Sequence, residues 1–424
     1  MLVAARLLGM DTPVPDRATG WFGFDLFRLV AESFSGTLSG VGLMIMAIGG
    51  FVAVMDKLGA SHALVSVATR PLRWFRRFPY LSASLMIPIG QALFVTIPSA
   101  AGLGLLLMAS VYPLLVRLGI SRVSAVAVIV ACTSFGIGPA SAMTARATEI
   151  VGLPLVDYFT GHQLPLVVPT SLVVATAFYF WNRWSDQREG EGEAALVGPV
   201  PFEGDDEGEN GFPTWYAVFP VLPLVLLLAF SGVFGDFGVR LGTTTAMFVS
   251  LTVAIAFEGL RTRQAGPMLS ALKVFWGGMA DLFKGVVTLI IAADVFSQGL
   301  LALGFIDSLL DVTQAVGLGA LGIGIVMSIM IFGASILMGS GNASFFSFGP
   351  LAPGIASSAG VAATELVTPM QLAASMGRSV SPIAGVVIAT SELAGVSTLD
   401  VVRRTGVPLS IGLAFMLLLH AITG

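Results

Sequence analysis

The chain is poor in what a protein needs to fold in water or to build a metal site. Charged residues fill only 11% of its 424 positions, under half the share usual in a soluble globular domain. Cysteine occurs once, as Cys132, which excludes a disulfide framework and a Cys-based metal site. His62, His162 and His420 are the three histidines, too scattered for a sequence-local zinc motif. No GxxxxGK[ST] phosphate loop is present, so ATP-driven pumping would need another subunit. HExxH, GxSxG and paired-aspartate protease patterns are also missing, which argues against an intramembrane enzyme, and no motif calls for a cofactor. Acidity is local. Residues 184–210 hold nine acids and one base, and the remainder holds 20 bases and 16 acids, so no nucleic-acid surface is implied.

What is abundant is apolar length. Hydrophobic residues make up 55% of the chain, its mean hydropathy is +0.90, and stretches of spanning length recur throughout. The reading is an all-α polytopic membrane protein, embedded in a lipid bilayer. Spans are expected at about 38–56, 123–147, 163–182, 214–231, 241–259, 284–303, 367–391 and 406–422. Segments 57–80 and 261–282 read as basic interfacial pieces. Two further stretches, 82–116 and 319–358, are each a pair of apolar arms around a polar break.

The halves repeat. Gly119-Ile120-Ser121 matches Gly360-Val361-Ala362, Gly138-Pro139 matches Ser381-Pro382, and Gly152, Asp157 and Pro165 fall on Gly395, Asp400 and Pro408. The expected organisation is a first repeat over 1–183, an acidic cytoplasmic linker over 184–212 and a second repeat over 213–424. Basic residues such as Lys57, Arg70, Arg117, Arg122, Arg183, Arg261 and Arg403 gather on one side, taken as cytoplasmic. Both two-armed segments must then enter and leave on one face, 82–116 from the cytoplasm and 319–358 from outside. The repeats are thus expected to be inverted, each with a re-entrant hairpin and a broken helix. The second repeat has two spans, 214–231 and 241–259, with no counterpart before residue 11, so about 50 residues are expected upstream of Met1.

Polar tips inside a membrane are tolerated only within protein or beside a wet cavity. The first tip contains Ser99, Ala100 and Gly102, and the second contains Ser340, Gly341 and Asn342. Each ends one half-helix and starts another, leaving N–H groups at a positive dipole end that suits a carboxylate. Close helix packing through small residues is the structural alternative. The spans after the hairpins carry Pro139 and Pro382, so Thr133, Ser134, Ser379 and Ser381 are candidates to line an opened cavity, against a simple proline kink. Arg378 sits deep in an apolar span, where its planar fork suits a carboxylate. A structural ion pair with Asp294 or Glu365 is the rival role. Asp294 is a candidate for carrying a coupling proton or cation, or for pairing with Arg378. Arg146, Glu149, Glu365 and Glu392 read as interfacial.

GLMIMAIGGFVAVMDKLGAS (42–61), SAAGLGLLLMASVYPLLVRLGIS (99–121), GSGNASFFSF (339–348), SMGRSVSPIAGVVIA (375–389) and DVVRRTGVPL (400–409) resemble the anaerobic C4-dicarboxylate carriers of the DcuC type. That family is similar to the wider ion transporter superfamily, whose folds are dimers with a fixed scaffold and a moving transport domain. The resemblance implies a bacterial inner-membrane homodimer exchanging succinate or fumarate by an elevator mechanism, linked to protons, with the two tips holding substrate. By the family pattern, Asp294 stands where a small residue is usual. The alternatives are a sodium-coupled carrier of another small organic acid or amino acid, and a channel. Hairpins closed on opposite faces favour alternating access over a continuous pore.

Overall fold

The computed structural model describes residues 1–16, 18–70, 77–189, 213–231, 239, 241–306, 308 and 320–423. Most of the acidic linker, from residue 190 to 212, and the bases Arg73, Arg76 and Arg240 lie outside them. All regular structure among the described residues is helical, with no strand. In chain order they form α1 (Leu2–Leu7), α2 (Phe22–Lys57), α3 (Ala60–Thr69), α4 (Pro79–Thr96), α5 (Ala100–Ser110), α6 (Tyr112–Arg117), α7 (Arg122–Ala131), α8 (Ala142–Val151) and α9 (Leu155–Glu189). These are followed by α10 (Thr214–Ala229), α11 (Thr243–Thr262), α12 (Gly266–Ala302), α13 (Ala320–Met338), α14 (Gly341–Phe348), α15 (Ala352–Ala359), α16 (Ala363–Arg378), α17 (Gly385–Ala394) and α18 (Thr398–Thr423). Helices α2, α4, α9, α11, α12 and α18 are long and apolar enough to cross a bilayer.

Two expectations need correction. Segment 261–282 is not an interfacial piece. Most of it is the first half of α12, a 37-residue helix that runs on through residue 302. Likewise the span expected at 38–56 is the second half of the 36-residue α2. Both helices carry a wide turn in the middle, at Leu38–Gly42 in α2 and Phe283–Val287 in α12, and Gly40 leaves helical geometry there. Their backbones approach closely. A Cβ on Gly278 would lie 2.6 Å from the Gly49 carbonyl oxygen, so only glycine allows this crossing.

Around this pair Phe51, Phe219 and Phe275 form one apolar cluster with α3, α10 and α11. A larger cluster joins α4, α5, α7, α9 and α16–α18 through residues such as Phe94, Ile129, Phe178 and Met416. A third links the bulged middles of α2 and α12 to α8, α13, α14 and α16, through Ile45, Ile290, Met327, Phe345 and Phe346.

The breaks have local causes. Pro98 lacks an N–H and biases Ile97 away from helix, so α4 ends with Ile97 at φ −120°, ψ 74°. Ser99 is extended and caps α5, its hydroxyl accepting from the Gly102 amide at 3.1 Å. Gly339, at φ +67°, stops α13 in a left-handed conformation, and the extended Ser340 caps α14 by accepting from the Ala343 amide at 3.2 Å. Both caps sit at the same place in the two halves. Left-handed glycines recur in the same way, at Gly119 and Gly360 and at Gly152 and Gly395.

Candidate functional site

The two helix breaks meet. Residues 132–141, between α7 and α8, carry Pro139, and residues 379–384, between α16 and α17, carry Pro382. Helices α4 and α13 flank these breaks, and the capped starts of the next helices reach across the centre. The beginning of α5 packs on α17, where Gly104 meets Val386 and Thr390. The beginning of α14 packs on α16 and α8. A Cβ on Gly341 would lie 2.7 Å from the Ala374 carbonyl oxygen, and one on Gly339 would meet the Ile383 backbone at 2.9 Å. The second tip is therefore seated directly on the second break.

Each tip keeps a small set of amides in hand. In α5 the Gly102 amide is taken by Ser99 and the Leu103 amide by the Ser99 carbonyl. The amides of Ala100 and Ala101 precede the first intrahelical bond. Gly341 and Asn342 hold the same positions in α14, since Ser340 occupies the amides of Ala343 and Ser344. Ser99, Ala100, Gly102, Ser340 and Asn342 are half-buried or partly exposed, and Gly341 is buried.

Thr133, Ser134, Ser379 and Ser381 are wholly buried, and their hydroxyls are already in use. Thr133 donates to the Val130 carbonyl (2.9 Å), Ser134 to Ala131 (2.7 Å), Ser379 to Ser375 (3.4 Å) and Ser381 to Ile336 (2.6 Å). They line the breaks, as their sequence positions imply, but face backbone rather than open space in this conformation.

Arg378 ends α16, where the helix dipole favours a cation. Its guanidinium donates to the Thr133 carbonyl across the first break and lies over the Phe94 ring, 5.6 Å from its centre. Its Nε is buried without a partner. Among the described residues no carboxylate pairs with it. The rival role as a partner of Asp294 or Glu365 is therefore set aside. Asp294 instead binds Arg146, which also binds Glu149, and accepts from Thr37 at 3.2 Å. The Glu365 carbonyl faces His420 Nε2 at 2.7 Å. Arg146 is 7% exposed, so its reading as an interfacial residue is corrected: a buried guanidinium needs its carboxylates beside it.

Sequence reasoning missed a network of neutral polar residues that holds the first break open. Gln371 donates to the Gly136 carbonyl (2.8 Å) and to Thr144 (3.2 Å). Gln163 donates to Thr144 and to the Gln371 side-chain oxygen (3.0 Å each), and accepts from the Gly138 amide (3.1 Å). Tyr158 donates to Gln371 (3.0 Å), and the Gly136 amide donates to Ser375 (3.0 Å). Unwound backbone in lipid loses several kcal/mol per unsatisfied group, so these side chains are what permits the break. The available signal was a glutamine inside an apolar span, which carries no charge to flag it.

The family model for the C4-dicarboxylate anaerobic carriers matches residues 6–423. The chain belongs to that family. A probable DcuC transporter of Vibrio cholerae is 33% identical over 422 residues, covering 99% of this chain and 90% of its own length. The anaerobic C4-dicarboxylate transporter DcuC of Escherichia coli K12 is 32% identical over 420 residues, 98% of this chain and 88% of that protein. Among solved structures, the YdaH transporter of Alcanivorax borkumensis superposes with a TM-score of 0.62 at 15% identity, over 99% of this chain and 95% of that one. At that identity the likeness is one of fold. This member of the carrier family is a multi-pass protein of the bacterial inner membrane and a transporter rather than an enzyme.

Proposed function

We propose that the chain is a secondary active transporter of C4-dicarboxylates such as succinate or fumarate, proton-coupled and working by alternating access. Substrate carboxylates are held by Arg378 and by the amides and caps at Ser99–Gly102 and Ser340–Asn342. The observation that carries this reading is Arg378, a partly buried arginine whose Nε is enclosed and which has no carboxylate partner among the described residues, placed where both breaks and the arm of α4 come together. A cation partly withdrawn from water without a counter-charge is costly, and an arriving carboxylate relieves that cost. Two capped helix starts nearby supply further anion-favouring ends, enough for a molecule with two carboxylates.

In the same reading the halves are inverted repeats. The crossed contacts of α5 with α17 and of α14 with α8, together with the recurring caps, bulges and glycines, support a two-fold relation. Helices α2, α3 and α10–α12 serve as the scaffold, the hairpins and broken helices as the moving part, and the protein is a homodimer.

The test is counterflow of labelled succinate in proteoliposomes. Arg378→Ala should weaken apparent affinity about 10- to 150-fold, the range for a charge-assisted bond of about 1.5–3 kcal/mol. Arg378→Lys keeps the charge but loses the fork, and transport should fall sharply with folding intact. Near-normal affinity in Arg378→Ala would remove it from the binding site. An imposed sodium gradient in the same vesicles tests the sodium-coupled alternative.

A further inference from the structure

Away from the meeting point of the breaks lies a polar cavity of about 320 Å³. It opens where α2, α8, α12 and the turn after α14 converge, and Arg146, Glu149, Asp294 and Thr37 line it. We infer that this cavity is the coupling-proton site, with Glu149 as the carboxyl that gains and loses the proton while Asp294 stays ionised on Arg146. The inference rests on the transport reading above and adds to it the place where the driving ion binds.

Charge counting comes first. One guanidinium faces two carboxylates, so the ionised cluster keeps one negative charge inside the membrane-embedded part of the protein. Such a residual charge is expensive, and a proton removes it. The two acids are not equivalent. Asp294 is the more enclosed, with 17% of its side chain exposed, and it holds two donors, Arg146 and Thr37. Among the described residues Glu149 has only Arg146, one turn away on its own helix, and 38% of its side chain is exposed. It is therefore the acid a proton can reach, and protonating it leaves Arg146 and Asp294 as a neutral pair.

The cavity also contains polar atoms that nothing among the described residues satisfies. The Nε of the 7%-exposed Arg146, the Ser33 hydroxyl and the Gln298 side-chain oxygen are all buried without a partner. A wet, proton-accessible cavity accounts for them. Sodium fits less well, because Arg146 takes one oxygen of each carboxylate, Thr37 donates to the other oxygen of Asp294, and the guanidinium repels a second cation.

The other charges on helices packed against α12 have partners of their own or stand farther along their helices. On helices packed against α12, Asp25 accepts from Thr19, Glu32 from the Asp16 amide, and Arg6 lies over the Phe22 ring. Arg28 and Lys284 lie about 14 and 15 Å along their helices from Thr37 and Asp294, at about 1.5 Å per residue.

The position suits coupling. Arg146 belongs to α8, the second limb of a broken helix, and Asp294 to the long helix α12. Their bond ties the part proposed to move to the part proposed to stay, and the wide turn of α2 lies against Glu149, whose Oε1 would be 3.7 Å from a Cβ on Gly40. Neither Arg146 nor Asp294 has a charged counterpart in the other half, where Ala389 and Gly49 stand. The cluster is an addition to one repeat rather than a feature of the duplicated site.

The experiment separates exchange from driven uptake in proteoliposomes, using labelled succinate as the probe. Counterflow needs no net proton movement, whereas accumulation under an imposed pH difference does. One pH unit supports about tenfold accumulation per coupled proton. In Glu149→Gln, counterflow should persist and pH-driven accumulation should fall to equal concentrations on both sides. Its counterflow affinity should also stop varying with pH, a readout that does not depend on yield. Wild-type accumulation in Glu149→Gln would overturn the proton site alone. Accumulation driven by sodium instead of pH, and lost in the variant, would also overturn it. Wild-type vesicles with no succinate counterflow would overturn the transport reading, and this inference with it.

Discussion

At the scale of single residues, the membrane arginines divide by their company. Arg146 is held by two carboxylates, whereas Arg378 has a carbonyl and an aromatic face. The first already has its counter-charges and the second invites an anion. This yields a contrast measurable by thermal unfolding in detergent. Truncating either Arg146 or Asp294 to alanine should cost up to about 3 kcal/mol, because the remaining charge is stranded. The double variant should cost clearly less than the sum. Arg378→Ala combined with Asp294→Ala should instead be additive to within about 0.5 kcal/mol, as for residues that share no bond. Strong coupling in that second pair would mean that Asp294 exchanges partners. The pairing of Arg146 with Asp294 was not legible in the sequence. The two residues are 148 positions apart, and a span reveals that a charge is buried without revealing what faces it.

At the scale of elements, the helix starts at Ser99 and Ser340 are both a structural device and part of the proposed site. Their hydroxyls satisfy an amide in the first turn, and losing such a cap costs about 1 kcal/mol. Ser340→Ala should lower thermal stability by roughly that amount, and Ser340→Asn, which caps as well as serine, should restore it. If Asn and Ala were equally destabilised, the hydroxyl would matter for some reason besides capping. These tips were readable from the sequence because proline and glycine interrupting an apolar run end a helix through the backbone alone, without help from distant residues. The long helices α2 and α12 were not. Lys273 and Trp276 inside α12 resemble an interfacial anchor on any local window. The wide turns at 38–42 and 283–287 contain no proline that would announce them. What fixes these helices is the glycine crossing between them, a tertiary contact that periodicity does not encode.

At the scale of the whole molecule, the question is orientation. Gly119 and Gly360 end the second arms of the two proposed hairpins in the same left-handed turn. Inverted repeats put these turns on opposite faces of the membrane, and parallel repeats put them on the same face. By the positive-inside rule, the bases around the first turn, Arg117 and Arg122, predict the cytoplasmic side for it. The segment around Gly360 has no Lys or Arg between residues 320 and 377, as an external turn should. Arg117 and Ser358 are placed towards the ends of these arms, at equivalent places in the halves. Cys132 is wholly buried, so the natural chain offers almost no background to a thiol reagent. In intact cells, a membrane-impermeant maleimide should label Ser358→Cys at once and Arg117→Cys only after permeabilisation. Labelling of both from one side would remove the inverted relation, and with it the approach of the two capped helix starts to one substrate from opposite faces.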